Sequence, residues 1–235
     1  MATKAKYNAG FLQYYDSTTD EYYGVQSPVQ YREEFFRLDG NTWTSIDVSA
    51  AGNTIPAIIT SSKNGVVRIP LDNTNEAQES GLTWGNHRCF VLNQNLALDM
   101  RLALHTLPTG SVTAVWGLAG NYNAAPNSVA ESIWFRVDGS GAVTVETDDT
   151  VNETSQVATG VTLIADVFHQ FRIDCAMPAS VKFYIDGVRV AAGTIFDLST
   201  VPALLLQPYV HISKNAASSV GTIDLDCLRM WQNRG

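Results

Sequence analysis

Charge and cysteine are both scarce in this chain. Only 16% of its 235 residues are Asp, Glu, Lys or Arg, and the formal net charge is −8. The densest basic element is Lys4 with Lys6. Nucleic acid and anionic membrane are therefore not expected as partners, because phosphate binding needs clustered Lys and Arg. No apolar run approaches the roughly 18 residues of a membrane-spanning helix. The opening residues 1–16 lack the apolar stretch of a secretory signal. The three cysteines, Cys89, Cys175 and Cys227, are odd in number and far apart in apolar contexts. They are expected to be buried free thiols, which with the missing leader points to synthesis in a reducing cytoplasm. The sequon at Asn152 then carries no weight.

Motifs for chemistry are missing too. His87, His105, His169 and His211 stand singly, with no H-x-H, H-E-x-x-H or C-x-x-C, so zinc is not expected. There is no G-x-S-x-G, and Asp138-Gly-Ser-Gly141 is a turn rather than a phosphate loop. A retaining glycosidase needs two carboxylates about 5–5.5 Å apart. Asp224 and Asp226 share one strand face, but no Glu follows them. Asp99 and Arg101 share a face with His105, but lack a second acid. Both groups are expected to be solvated strand residues. Neither a cofactor nor enzymatic activity is expected on these grounds. Calcium has weak candidates in Asp148, Asp149 and Asn152, with Glu153 beside them, in what reads as an acidic loop over 147–160.

What the chain does have is period-2 alternation. Leu96, Leu98, Met100, Leu102 and Leu104 point one way, with Ala97, Asp99, Arg101, Ala103 and His105 the other. Short alternating runs recur at 134–137, 142–146 and 181–190. Asp138-Gly139 and Asp186-Gly187 supply hairpin turns. Further strands are expected over 55–60, 65–71, 89–92, 112–118, 211–213 and 221–231. Loops are expected over 72–81, 119–130 and 147–160. At this length one large β-domain is the better expectation, and it can bury enough surface to fold without disulfides or metals.

The order of these runs carries a resemblance. His169-Gln-Phe-Arg-Ile-Asp174 precedes Lys182-Phe-Tyr-Ile-Asp-Gly-Val-Arg-Val190. Arg32–Thr44 contains an aromatic strand with a Leu38-Asp39-Gly40 turn, and Gly221–Trp231 closes the chain with apolar residues alternating with Asp. This order resembles the concanavalin A-like (laminin-G-like) jelly roll over roughly residues 29–232. The resemblance implies an all-β sandwich of about a dozen antiparallel strands preceded by an N-terminal arm. It leaves function open, because the fold serves lectins, glycanases and structural modules.

Residues 1–28 differ from the body at 29–235. They hold Tyr7, Tyr14, Tyr15, Tyr22 and Tyr23 and no aliphatic run. Tyrosine offers amphipathic contact area at little entropic cost, so these five are expected to dock a partner. The opening residues are similar to those of bacteriophage head and tail accessory proteins. That likeness implies a non-enzymatic virion protein, a capsid decoration protein held by its arm on a capsid or other virion protein and forming homo-oligomers. The alternative is a lectin-like tail or fibre module binding host glycan through Trp84 and Tyr122. A second alternative is a glycan hydrolase.

Overall fold

A computed structural model describes residues 3–8, 11–16, 22–24, 29–62 and 64–234, the first three segments as backbone only. The strands Thr3–Asn8, Phe11–Asp16 and Tyr22–Gly24 pair in that order into one antiparallel sheet. Tyr14 lies opposite Tyr23, and Tyr15 opposite Tyr22. The docking contacts expected of Tyr7, Tyr14, Tyr15, Tyr22 and Tyr23 are side-chain properties and lie outside the described residues.

The body is two antiparallel sheets face to face. The front sheet runs, in order, Val188–Val190, Lys182–Ile185, His169–Asp174, Ala97–Thr106, Gly221–Gln232, Val67–Leu71 and Ala57–Ile58, with Val29–Glu33 also paired to Gly221–Gln232. The back sheet runs Glu153–Thr162, Ala142–Asp149, Glu131–Asp138, Thr113–Ala119, Leu205–Ala217, Glu76–Thr83 and Thr44–Val48. Phe90–Val91 pairs with the start of Leu205–Ala217. This is the all-β jelly roll that the alternation and the resemblance imply.

The core lies between the sheets. Leu98, Met100, Leu102 and Leu104 are each at most 1% exposed, and full burial of each such side chain contributes about 1.5–3 kcal/mol. Opposite them, Trp116 and Phe135 of the back sheet meet Phe171 of the front sheet edge-on, each at 5.0 Å between ring centroids. At Asp186-Gly187 both residues have positive φ, 50° and 77°, as a two-residue hairpin turn demands. At Asp138-Gly139 only the glycine does, and the turn there is a longer loop ending at Ala142.

Several expected loops are strands. Residues 72–81 contain most of Glu76–Thr83, in which Gln78 and Ser80 are fully buried. Their polarity hid the strand, and hydrogen bonds make it possible. Gln78 Nε2 donates to Asp72 and Glu76 at 2.7 and 2.9 Å, and Ser80 Oγ donates to the Thr54 carbonyl at 2.6 Å. Residues 147–160 are mostly the hairpin of Ala142–Asp149 with Glu153–Thr162. The register of that outer pair slips twice, at Ala142/Thr144 and at Val145/Thr147, where Gln156 and Gly160 take positive φ. The strand expected at 211–213 extends over Leu205–Ala217 through Pro208. Pro208 falls between the stretch paired with Phe90–Val91 and the stretch paired with Glu76–Thr83, so its missing N–H costs no ladder bond on that side. The strand expected at 55–60 shrinks to Ala57–Ile58.

Two residue-level expectations are corrected. Cys175 is buried, but Cys89 is exposed and Cys227 half-buried, because Cys89 precedes its strand and Cys227 lies on a strand's outer face. Asp224 and Asp226 are not solvated. Each is 6% exposed, and each meets an arginine from a neighbouring strand. Arg68 grips Asp224 with two bonds of 2.8 Å, and Arg101 donates to Asp226.

Candidate functional site

The outward face of the back sheet is built from residues that cross-strand pairing places in rows. One row is Glu146, Trp134, Gly117 and Tyr209; the next is Thr144, Arg136, Val115, His211 and Gly81; the third is Asp138, Thr113, Ser213 and Glu79. Loop 120–130 folds back over this face and adds Tyr122, Asn127 and Val129. The second row depends on Gly81. A Cβ there would lie 2.6 Å from the Val210 carbonyl and 3.2 Å from the His211 ring. Gly117 does the same in the first row. A Cβ at 117 would meet the Ile133 carbonyl at 2.4 Å, so its absence lets the Trp134 and Tyr209 rings close to 5.7 Å.

Two charged groups result. In the first, Glu79 accepts from the Tyr122 hydroxyl and faces His211 Nε2 at 3.4 Å. The His211 hydrogen bond, then the Tyr122 bond, holds the Glu79 carboxyl below its ordinary range against the opposing cost of burial. His211 is fully buried, and its Nδ1 meets no hydrogen-bond partner among the described residues. In the second group, Arg136 donates to Asp138 at 2.8 Å, to Glu146 at 3.3 Å, and to Asn127. Burial raises the Glu146 carboxyl, and Arg136 opposes that shift. Asp148, two residues along the same face, is raised by burial as well. Between the groups lies a cleft of about 370 Å³, within the range of a small-ligand site. It is lined by Glu79, Thr113, Asn127, Arg136, Ser213 and Lys214 among others. Lys214 closes one end, donating to the Asp72, Thr74 and Ser219 carbonyls at 2.6–3.1 Å.

Of the two aromatic sugar-binding candidates, Tyr122 belongs here. Its ring stacks on Tyr209 at 6.4 Å. Trp84 does not. It is 9% exposed and sits against Tyr31, Trp43 and Phe90, so it offers no ring face to a ligand. The calcium candidates are used as turn caps. Asp149 Oδ1 accepts the Val151 and Asn152 amides at 3.0 and 2.6 Å, Asp148 Oδ1 accepts the Thr150 amide at 2.7 Å, and Asn152 Nδ2 donates to Thr200 at 2.8 Å. Sequence reading missed Glu79, which it placed in a loop, and Glu146, and it named Asp148 only as a calcium candidate.

No known protein-family model matches the chain, and no curated protein matches it in sequence. In fold it is similar to solved structures of low identity. A glycoside hydrolase family 16 endo-glucanase from Bacteroides ovatus is 9% identical, over 85% of this chain and 99% of that one, with a TM-score of 0.60. The Emp47p carbohydrate recognition domain is 10% identical, over 85% and 92%, with a TM-score of 0.55. A protein of unknown function, SO2946 from Shewanella oneidensis MR-1, is 10% identical, over 89% and 88%, with a TM-score of 0.57. The chain therefore has the concanavalin A-like jelly-roll fold. The same finding corrects the expectation that it is not an enzyme. Glycoside hydrolases stand among its structural neighbours beside lectin domains, so a missing single-strand carboxylate motif is no ground for excluding glycan chemistry.

Proposed function

We propose that this jelly roll binds glycan in the cleft on the outer face of its back sheet. The observation that carries the reading is the lining. A carboxylate, a guanidinium, an amide and two hydroxyls (Glu79, Arg136, Asn127, Thr113 and Ser213) converge on one cavity of about 370 Å³. Saccharide recognition needs such a mixture of fixed donors and acceptors, and the Tyr122 hydroxyl holds Glu79 in place. The groups are held by strands rather than by loops alone, which limits the entropy lost on binding. Lectin and glycoside hydrolase domains of the same fold add support. Glu79 and Glu146 lie four strands apart, about 19 Å at normal strand spacing, so they do not form one acid–nucleophile pair.

The test is calorimetry against a panel of neutral oligosaccharides, read together with release of reducing ends. Binding by the native chain, lost in Glu79→Gln and Arg136→Met, is the expected outcome. Binding unchanged in both variants would place the sugar elsewhere. Hydrolysis would extend the proposal from a binding site to an active site.

A second reading concerns residues 1–28. Their three-stranded sheet pairs within itself and sets two tyrosines opposite two others. We assign this segment to docking the domain on a larger assembly such as a virion. Removing residues 1–28 is expected to leave the jelly roll folded and to abolish attachment.

A further inference from the structure

The front sheet's outer face carries a different chemistry, which the cleft proposal does not use. Cross-strand register places Arg189, Tyr184, Arg172, Asp99, Arg229 and Arg32 in a single row over six adjacent strands. Their chain neighbours Phe183, Ile173, Leu98 and Leu228 are in the core, so the row points outward. Four guanidiniums stand there against two carboxylates. Arg172 reaches Asp99 at 3.6 Å, Arg229 reaches Glu34 at 3.8 Å, and Arg32 also donates to Glu34. The arginines are open to solvent nonetheless, with side chains 40%, 52% and 62% exposed at Arg172, Arg229 and Arg32. In a chain of net charge −8, this is a local cationic track.

Aromatic rings adjoin it. Tyr184 stands between Arg189 and Arg172 in the row. Trp231, one row over, lies 5.0 Å beneath the Arg172 guanidinium. A groove of about 390 Å³ opens beside them, lined by Gln30, Arg32, Asp99, Arg229 and Trp231.

We infer that this row is a binding track for an anionic polysaccharide bearing one carboxylate per disaccharide on its protein-facing edge. Spacing selects that ligand. Arg189 to Arg172, and Arg172 to Arg229, are each two strands apart, which is about 10 Å and the length of one extended disaccharide. The Tyr184 ring, between two of the cations, suits the apolar face of an intervening sugar. A nucleic-acid backbone is a poor match, because its phosphates recur far more densely, about one charge per 1.7 Å of duplex axis. The track lies on the sheet opposite the cleft, so the two sites are separable by mutation.

The test uses the full chain with hyaluronan, with carboxyl-reduced hyaluronan as the neutral control and single-stranded DNA as a dense polyanion. The native protein is expected to bind hyaluronan, to lose that binding as salt is raised, and to ignore the reduced polymer. Arg172→Gln, Arg229→Gln and Arg189→Gln are each expected to weaken Kd about tenfold, the scale of one charge-assisted contact. Glu79→Gln, in the other sheet, is expected to leave hyaluronan binding unchanged. Arg189 is exposed on an edge strand, so its variant is expected to keep the native melting temperature and to test the idea even if an interior variant unfolds. Equal binding of the reduced polymer, indifference to all three arginine changes, or binding of DNA in place of hyaluronan would each overturn the inference.

Discussion

The two outer sheet faces solve opposite problems with similar residue types. On the back sheet, a loop covers the strands, so Trp134, Tyr209 and His211 are fully buried and the acids Glu79 and Glu146 are held in fixed hydrogen bonds. On the front sheet no such loop lies over the arginine row among the described residues, and the ion pairs sit at the water boundary. The difference teaches that a tryptophan or an acid cannot be given a role from its strand position alone. What covers the strand decides whether it is structure or surface.

The comparison can be broken most severely at Trp134. Trp134→Ala is expected to cost about 3–5 kcal/mol, the range for a fully buried large aromatic, by urea unfolding. A cost below 1 kcal/mol would mean that the covering loop does not hold the back face as described. The next largest effect is on the front sheet. Arg68→Ala leaves Asp224 nearly buried without its partner and is expected to cost about 2 kcal/mol, less than a fully buried pair because Arg68 is 35% exposed. The double change to leucine at both positions should recover most of that loss.

A pH titration sharpens the same contrast. The Glu79 carboxyl is held below its ordinary value of 4.5, chiefly by His211. Its contribution to stability is therefore complete above pH 4.5 and is lost as pH falls through the lower folded value. Thermal melts of Glu79→Gln should show a flatter decline than the native chain below pH 4.5. A parallel decline would show that Glu79 is not the group being titrated. The smallest effect belongs to Trp231→Ala. Its ring is half-buried on the front face and is expected to cost about 1 kcal/mol, the scale of its contact with Arg172.

The fold was legible where apolar residues alternate. Leu96–Leu104, the 134–137 run and the Asp186-Gly187 hairpin all lie where the pattern puts them, because the side chain facing the core must be apolar in every second position. Legibility failed where polar side chains are buried. Gln78, Ser80 and Asp149 read as loop residues, yet each is fully buried and hydrogen-bonded, Ser80 to the distant Thr54 carbonyl, Gln78 to Asp72 and Glu76, and Asp149 to the amides of the turn that follows it. Most of the cleft was lost for the same reason. Only Tyr122, whose hydroxyl bonds Glu79, was named in advance, since Glu79 and Arg136 reach the cleft through strand order rather than chain order. Trp84 misled for the converse reason: its polar neighbours Gly85-Asn86-His87 suggested a loop tip, but its own ring turns inward.

The Glu153–Thr162 strand ends the back sheet with one side unpaired among the described residues. A flat strand of ten residues there would be a template on which another chain could add itself. The two register slips, with Gln156 and Gly160 at positive φ, bend and interrupt its free rim. A partner strand could follow it for only a few residues before losing step. The irregularity that hid this strand from the sequence therefore also works against self-association into fibres, and regularising it, by deleting the extra residues at both slips, would be expected to trade solubility for straightness.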